Sequence, residues 1–456
     1  MQWFSKSRGK QGGVGQKPFP GGEGESRPRL AVAHFMLGNT YPFTEEDWLK
    51  TFDLAQDTSL DALALNLGPE EWQLTQASTA SRLLSSSHLK LKLFLSLDLM
   101  VLPKDPDLIS TKVIQIIQSG KAAQLKWDNK IVLSTFGGQD LGDKGWREVI
   151  RGVESTLGEK VFFIPSFFLP PEVILAKDYV DGAFDWNGAW PMNNHTINLD
   201  SDKPFLSHNK PYMASVSPLF FTHYGTEGDW AFNKNWIYRS DDLLLPTRFQ
   251  QLLSLPPDQS PQCIEIISWN DFGESHYIGP VLGAQPGSER WTEGMDHEGF
   301  RVMIKYYVEK WKNQVRHGKD EASSSDGSGK EEKGKMVVWY RTQSRDMSAA
   351  EDRVGKPDHS EWAQDLLNFF ILLPSPQYSL KDTFTLHVQN GGHSHRPISL
   401  DVGSVNLVPV PFFTGQVTFQ VMRGAREVVM DGKGRDIVEG GGWNYNMWSG
   451  VFDAIS

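Results

Sequence analysis

Residues 62–98 read ALALNLGPEEWQLTQASTASRLLSSSHLKLKLFLSLD, and this stretch decides the fold. Two apolar runs, Ala62–Leu67 and Lys92–Asp98, enclose an amphipathic segment that predicts a helix over Thr75–Ser85. A short run without polar alternation reads as a strand buried on both faces. Strand, helix and strand in that order make a parallel βαβ unit.

The unit recurs in both directions. Further runs are Leu30–Leu37 (LAVAHFML), Ile131–Phe136, Val161–Phe168, Gly182–Trp186, Tyr212–Ser217 and Cys263–Trp269, which brings the total to eight. Helices are expected at Glu45–Ala55, Pro106–Gln118 and Trp146–Leu157, with Asp296–Lys312 after the eighth run. Eight repeats within residues 29–315 predict an α/β fold, a (β/α)8 TIM barrel. A doubly wound sheet is the rival, but no G-x-G-x-x-G follows any run. The tail, 336–456, carries strand-like runs at Met336–Arg341, Asn368–Leu373, Thr383–Val388, Ile398–Val402, Gln416–Met422 and Glu427–Met430. Short spacing with Pro, Gly, Asn and Asp between them predicts a C-terminal all-β, sandwich-like accessory domain packed on the barrel. Residues 1–28 read as a disordered leader. The stretch 316–335 (RHGKDEASSSDGSGKEEKGK) reads as a solvated linker or loop.

Composition narrows the function. The chain has 456 residues, 39% hydrophobic, with a formal net charge of −11. That balance argues against a nucleic-acid partner, which needs phosphates neutralised, and against an anionic membrane surface. The closest approach to a membrane span, Leu89–Leu102, is broken by Lys90, Lys92 and Asp98. Cys263 is the single cysteine, so no intrachain disulfide forms, and it is expected to pack within the eighth strand. The first residues lack the apolar centre of a secretory signal, which by sequence points to an intracellular protein. A monomer is expected.

Barrel chemistry collects at the C-terminal ends of the strands. The last polar residues of the runs are Asn39, Asn66, Asp98, Thr135, Asp185 and Ser217, then Asp271 with Glu274. Rings accompany them, including Tyr41, Trp72, Trp186, Trp190, Tyr224, Trp230, Trp236, Trp269 and Tyr277. A rim of acids, amides and rings without a phosphate cradle suits a neutral polyhydroxy substrate. The densest piece is Ser268–Pro280, SWNDFGESHYIGP. Two acids in one desolvated pocket titrate apart, so one donates a proton while the other activates water or attacks carbon. The bland alternative makes Asp271 a helix N-cap and Glu274 the partner in a capping box. Asp271, Glu274 and His276 are also metal donors, but their spacing matches neither H-E-x-x-H nor an EF-hand loop. No metal and no cofactor are expected. His34 reads as a core histidine, and His276 and His297 as rim or supporting residues.

Several of these motifs resemble glycoside hydrolase family 71, the fungal endo-α-1,3-glucanases or mutanases. They are His34–Tyr41 (HFMLGNTY), Asp61–Asn66, Phe184–Trp186, Ala189–Pro191, Tyr212–Pro218 and, above all, Trp269–Tyr277 (WNDFGESHY). The resemblance covers about residues 29–313, and the tail from Val338 resembles the β-domain that follows in that family. It implies endo-hydrolysis of α-1,3-glucan with inversion, Glu274 acting as general acid and Asp271 as general base. For inversion the two carboxyls should lie roughly 6.5–9.5 Å apart. Tyr41, Asn66, Asp98, Trp186, Trp190, Trp269, His276 and Tyr277 are the candidate substrate-binding residues. The alternatives are another α-linked glycan, or a catalytically silent glucan-binding protein. The resemblance also implies a secreted or cell-wall protein, from which the missing signal and the stretch 316–335 depart.

Overall fold

The computed structural model describes residues 29–316, 333–375 and 377–455; the leader and most of the 316–335 stretch lie outside them. Eight parallel strands form one curled sheet: β1 (Leu30–Met36), β2 (Ala62–Leu67), β3 (Lys92–Asp98), β4 (Lys130–Phe136), β5 (Val161–Ser166), β6 (Ala183–Asp185), β7 (Tyr212–Val216) and β8 (Cys263–Ile266). Their spatial order is β5-β4-β3-β2-β1-β8-β7-β6. The register runs Ala33 beside Leu63 on one side and Ile266 on the other. The two edge strands meet without a ladder. The amides of Asp181 and Gly182 donate to the Phe163 carbonyl at 2.9 and 3.2 Å, and the Phe163 amide donates to Asp181 Oδ2 at 2.9 Å.

All eight expected runs are strands, and their alternation sorts the core. Ala33, Phe35, Leu63, Leu65, Leu93, Leu95 and Leu97 face outward into a layer shared with the helices. Val32, Ala62, Ala64, Phe94, Val132, Phe162, Ile164, Phe184, Met213 and Cys263 fill the inside. Long helices follow β1 to β4: α1 (Glu45–Asp57), α2 (Glu71–Ser85), α3 (Pro106–Ser119) and α4 (Gly142–Leu157). Thr44 and Asp47 close a capping box at the start of α1, and Asp105 with Pro106 starts α3. After β5 and β6 the helices shrink to Pro171–Leu175 and Lys203–Leu206, and Leu244–Ser254 and Glu298–Arg316 follow β7 and β8. No helix among the described residues is long and apolar enough to cross a membrane.

Two antiparallel sheets make up the C-terminal part. One runs in the order Val405–Pro411, Leu366–Leu372, Lys335–Arg341, Met447–Asp453. The other joins His393–Ser394, Phe384–Asn390, Val417–Arg423 and Glu427–Lys433, with Ile398–Leu400 also on Phe384–Asn390. Met336, Val338, Tyr340, Leu367, Phe369 and Ile371 meet Leu386, Val388, Phe419 and Val421 in a common core. The opposite face of the first sheet, with Val337, Trp339 and Phe370, joins the core of the helix layer instead. Gly299 in the last helix permits that approach, because a Cβ there would lie 2.6 Å from Val337 Cγ1.

Candidate active site

Within the curled sheet the inward positions turn polar toward the C-terminal ends. His34 on β1 and Glu265 on β8 form a fully buried pair, Nδ1 to Oε1 at 2.8 Å, which satisfies His34 as a core histidine. The His34 ring meets Trp186 edge-on, with centroids 4.7 Å apart. Asp98 stands at the end of β3, where it accepts the Met100 amide at 3.1 Å. Burial pushes its carboxyl up, partly offset by that amide and by the charges of His34 and Lys234.

The chain leaving β8 does not start a helix. It folds back across the mouth as a loop in which the Trp269 amide donates to the His34 carbonyl at 2.7 Å. The Ser268 amide donates to His276 O at 2.7 Å, and the Ile278 amide to Ser268 O at 2.9 Å. Asn270 ties the loop to β1: its Oδ1 accepts the Met36 amide at 2.7 Å and its Nδ2 donates to the Met36 carbonyl at 3.1 Å. Asp271 and Glu274 project from a loop clamped at both ends. The capping-box alternative falls with the absent helix, although Asp271 Oδ1 does accept the Glu274 amide at 3.1 Å.

Each oxygen has a distinct neighbour. Ser268 Oγ accepts the Asp271 amide at 2.9 Å and lies 3.0 Å from His276 Nδ1. His276 Nε2 lies 3.1 Å from Glu274 Oε2, and Lys234 Nζ donates to Glu274 Oε1 at 3.1 Å. A His276 protonated on Nε2 satisfies both contacts, since the serine hydroxyl then donates to Nδ1. Burial, then the charge of Glu274, raises Asp271 above the usual carboxylate range. Burial also acts to raise Glu274, but the His276 hydrogen bond and the Lys234 charge outweigh it and hold Glu274 low. The two carboxyls therefore titrate apart, Asp271 above its ordinary value and Glu274 below.

Oxygens of Asp271 and Glu274 and a nitrogen of His276 lie within 4.8 Å of one another, which is also a donor set of metal-binding size. Lys234 already supplies a cation to this cluster, which favours acid–base over metal chemistry. At their nearest oxygens the carboxyls stand closer than the roughly 6.5–9.5 Å expected of an inverting pair. The cause is the tight turn in which Glu274 donates its amide to Asp271 while His276 draws its carboxylate inward.

The structure sorts the other candidates. Asn66 lies buried at the end of β2, in register between Met36 and Ser96. Trp186 is half-buried at the mouth, and Tyr41 is 69% exposed, edge-on to Trp72 at 5.5 Å. His276 and Trp190 are buried behind the acids, the Trp190 indole donating to Leu219 O at 3.1 Å. Trp269 and Tyr277 are buried, with rings packed away from the acids. Trp269 belongs to the outer core, and the Tyr277 hydroxyl donates to Met295 O at 2.6 Å with its ring stacked on His297. Asp185 also turns outward, toward the buried Arg248–Asp202 pair, which is why burial lifts it to about 6. The sequence reading missed Lys234, Ser268 and Glu265. Only the position of Glu265 inside the buried strand β8 was a usable signal, because a buried acid needs a partner.

The family model described as "Glycosyl hydrolase family 71" matches residues 27–456. A glucan endo-1,3-alpha-glucosidase of Schizosaccharomyces pombe is 30% identical over 438 residues, covering 93% of this chain and 94% of its own. A mutanase of Penicillium rubens is 30% identical over 443 residues, covering 93% and 89%. Among solved structures, a GH99 endo-alpha-mannosidase from Bacteroides thetaiotaomicron aligns with a TM-score of 0.46 at 12% identity, over 63% of this chain and 98% of its own.

Proposed function

The chain belongs to glycosyl hydrolase family 71, and on that premise we propose that it cleaves α-1,3-glucan endo-wise, with Asp271 and Glu274 as the acid–base pair. The observation that carries this reading is the placement of two carboxyls in one clamped loop, with Glu274 held between Lys234 and His276 and Asp271 beside it. We read the curled sheet as a (β/α)8 barrel whose mouth is the active site; the strand count, the strand order and the bonds across the β5–β6 seam support that. The contacts of Glu274 with Lys234 and His276 favour it as the base that activates water, and the upward shift of Asp271 favours it as donor to the glycosidic oxygen. This reverses the roles carried over with the family resemblance. The substrate is taken from the relatives, and the exposed ring of Tyr41 with the half-buried rings of Trp72 and Trp186 are the proposed glucosyl contacts. Hydrolysis by two carboxyls consumes only water, so the reaction calls for no cofactor.

Inversion requires room for that water. Substrate is therefore proposed to part the two carboxyls, and β-configured glucose ends should appear first by NMR. An α-configured first product would make the second carboxyl a nucleophile. Reducing-sugar release from insoluble α-1,3-glucan, with dextran and starch as controls, tests the substrate. Release from the α-1,3-glucan alone is expected. Release from dextran or starch instead would move the activity to another α-linkage. No release, with the protein still pelleting on the glucan, would leave a binding protein.

A further inference from the structure

Glu274 owes its low titration partly to Lys234, and Lys234 sits on a hairpin, Phe221–Tyr224 with Lys234–Ile237, inserted between β7 and β8. Lys234 is opposite Tyr224, Asn235 opposite His223 and Trp236 opposite Thr222. Alternation therefore turns Lys234 toward the acids and sends Asn235 and His223 to the other face. A lone two-stranded hairpin is marginally stable. Here the C-terminal part of the chain holds its outer edge. The Asp358 amide donates to Asn235 O at 3.0 Å and the Ile237 amide to Asp358 O at 3.1 Å, on either side of Trp236.

The side chains on that face form a closed set. Asn235 Nδ2 lies 3.1–3.5 Å from the carbonyls of Val354, Gly355 and Lys356, which orients the amide and turns Oδ1 toward His223 Nδ1 at 2.7 Å. His223 Nε2 faces Asp352 Oδ2 at 2.9 Å, and the same oxygen accepts the Trp443 amide at 2.8 Å. Both ring nitrogens of His223 are thus engaged, one by the hairpin's own Asn235 and the other by Asp352 of the C-terminal part. The His223 and Asp352 side chains are 1% and 7% exposed, and Arg290 donates to the His223 carbonyl. A cavity of about 740 Å³ beside this set is lined by His223, Arg290, Asp352 and Trp443, on the opposite face of the hairpin from Lys234.

We infer that His223, Asn235 and Asp352 are positioning residues that clasp the Lys234 hairpin to the C-terminal sheets and so hold the Lys234 ammonium against Glu274. The clasp rests on the reading of Glu274 as the base. It gives the C-terminal part a task at the active site besides covering the last helix. The titratable groups facing Glu274 are Lys234, His276, Asp271, Asp98, Tyr224 and Tyr238; Lys234 and Tyr224 lie on the clasped hairpin, and of those two only Lys234 hydrogen-bonds Glu274.

The test measures kcat and KM against pH on soluble α-1,3-gluco-oligosaccharides for the full chain and for Lys234→Met, Asp352→Asn and Asn235→Ala. Lys234→Met should move the acid limb of kcat upward by roughly one pH unit, which is about a tenfold loss of kcat below the limb. Asp352→Asn and Asn235→Ala should move the same limb the same way, with KM within about twofold, and neither should add a shift to Lys234→Met. A limb that moves in Lys234→Met but stays at the wild-type position in both clasp variants overturns the clasp alone. A limb unmoved in Lys234→Met overturns the reading of Glu274 and the clasp with it. Asn235→Ala leaves no buried charge unpaired, so it reports even if Asp352→Asn does not fold.

Discussion

Asp271 and Glu274 differ in what the fold asks of them. Asp271 has its folded-state titration raised by burial and by its neighbour, so its contribution to stability is present at acid pH and is lost as pH rises through the folded value. Glu274 is held low, so its contribution is present above the unfolded carboxylate range and is lost as pH falls through the folded value. Ionising Asp271 therefore costs the fold stability. Asp271→Asn should raise Tm at pH 7 by roughly 1–3 °C while hydrolysis is lost, which calorimetry and an assay on the same sample check. A lower Tm would show Asp271 to be a structural acid. That the two acids stand together was legible from sequence, because they lie three residues apart directly after the eighth strand. Their ordering was not, since Lys234 lies 40 residues upstream of Glu274 and comes from another element. Trp269 and Tyr277 flank the acids in sequence, but the loop's backbone bonds turn their rings into the core.

The loop from Ser268 to Ile278 is the element on which the site stands, and Asn270 is its fastening. Its amide bonds both backbone groups of Met36, and its carbonyl accepts Asn39 Nδ2 at 2.8 Å. Asn270→Ala leaves buried groups of β1 unpaired and should cost about 2–3 kcal/mol in denaturant unfolding. The freed loop should also lower kcat about 100-fold, since a shift near 1 Å at the acids is enough for that. A variant with intact kcat would mean that the strands alone set the geometry. At this scale the sequence served well where strands are buried on both faces. It missed Val405–Pro411, whose Pro409 and Pro411 sit on a sheet edge where no ladder donor is needed. It also missed Lys234–Ile237, a short and half-polar strand with no periodicity to detect.

Across the whole molecule, the helix layer and the first C-terminal sheet share one core. Phe300 meets Trp339 at 6.3 Å, and Tyr306 and Tyr307 meet Phe370 at 5.3 and 6.0 Å. Heating should give a single calorimetric transition, and Trp339→Ala should lower it as a unit, at a cost of about 3–5 kcal/mol. Two separated transitions would mark the C-terminal sheets as an independent module. The two-part organisation was legible from the change of strand spacing. The shared core was not, because a sheet apolar on both faces reads the same whether its second face meets a helix or another sheet.

The central claim, that these two carboxyls carry out hydrolysis, is tested most directly by Asp271→Asn and Glu274→Gln assayed side by side on insoluble α-1,3-glucan. Both variants should pellet with the glucan like the wild type, and both should fall at least about 100-fold in sugar release, the scale of general acid–base catalysis. Added azide should restore turnover to the variant of the base, expected to be Glu274→Gln. Sugar release near the wild-type rate in either variant would contradict the account.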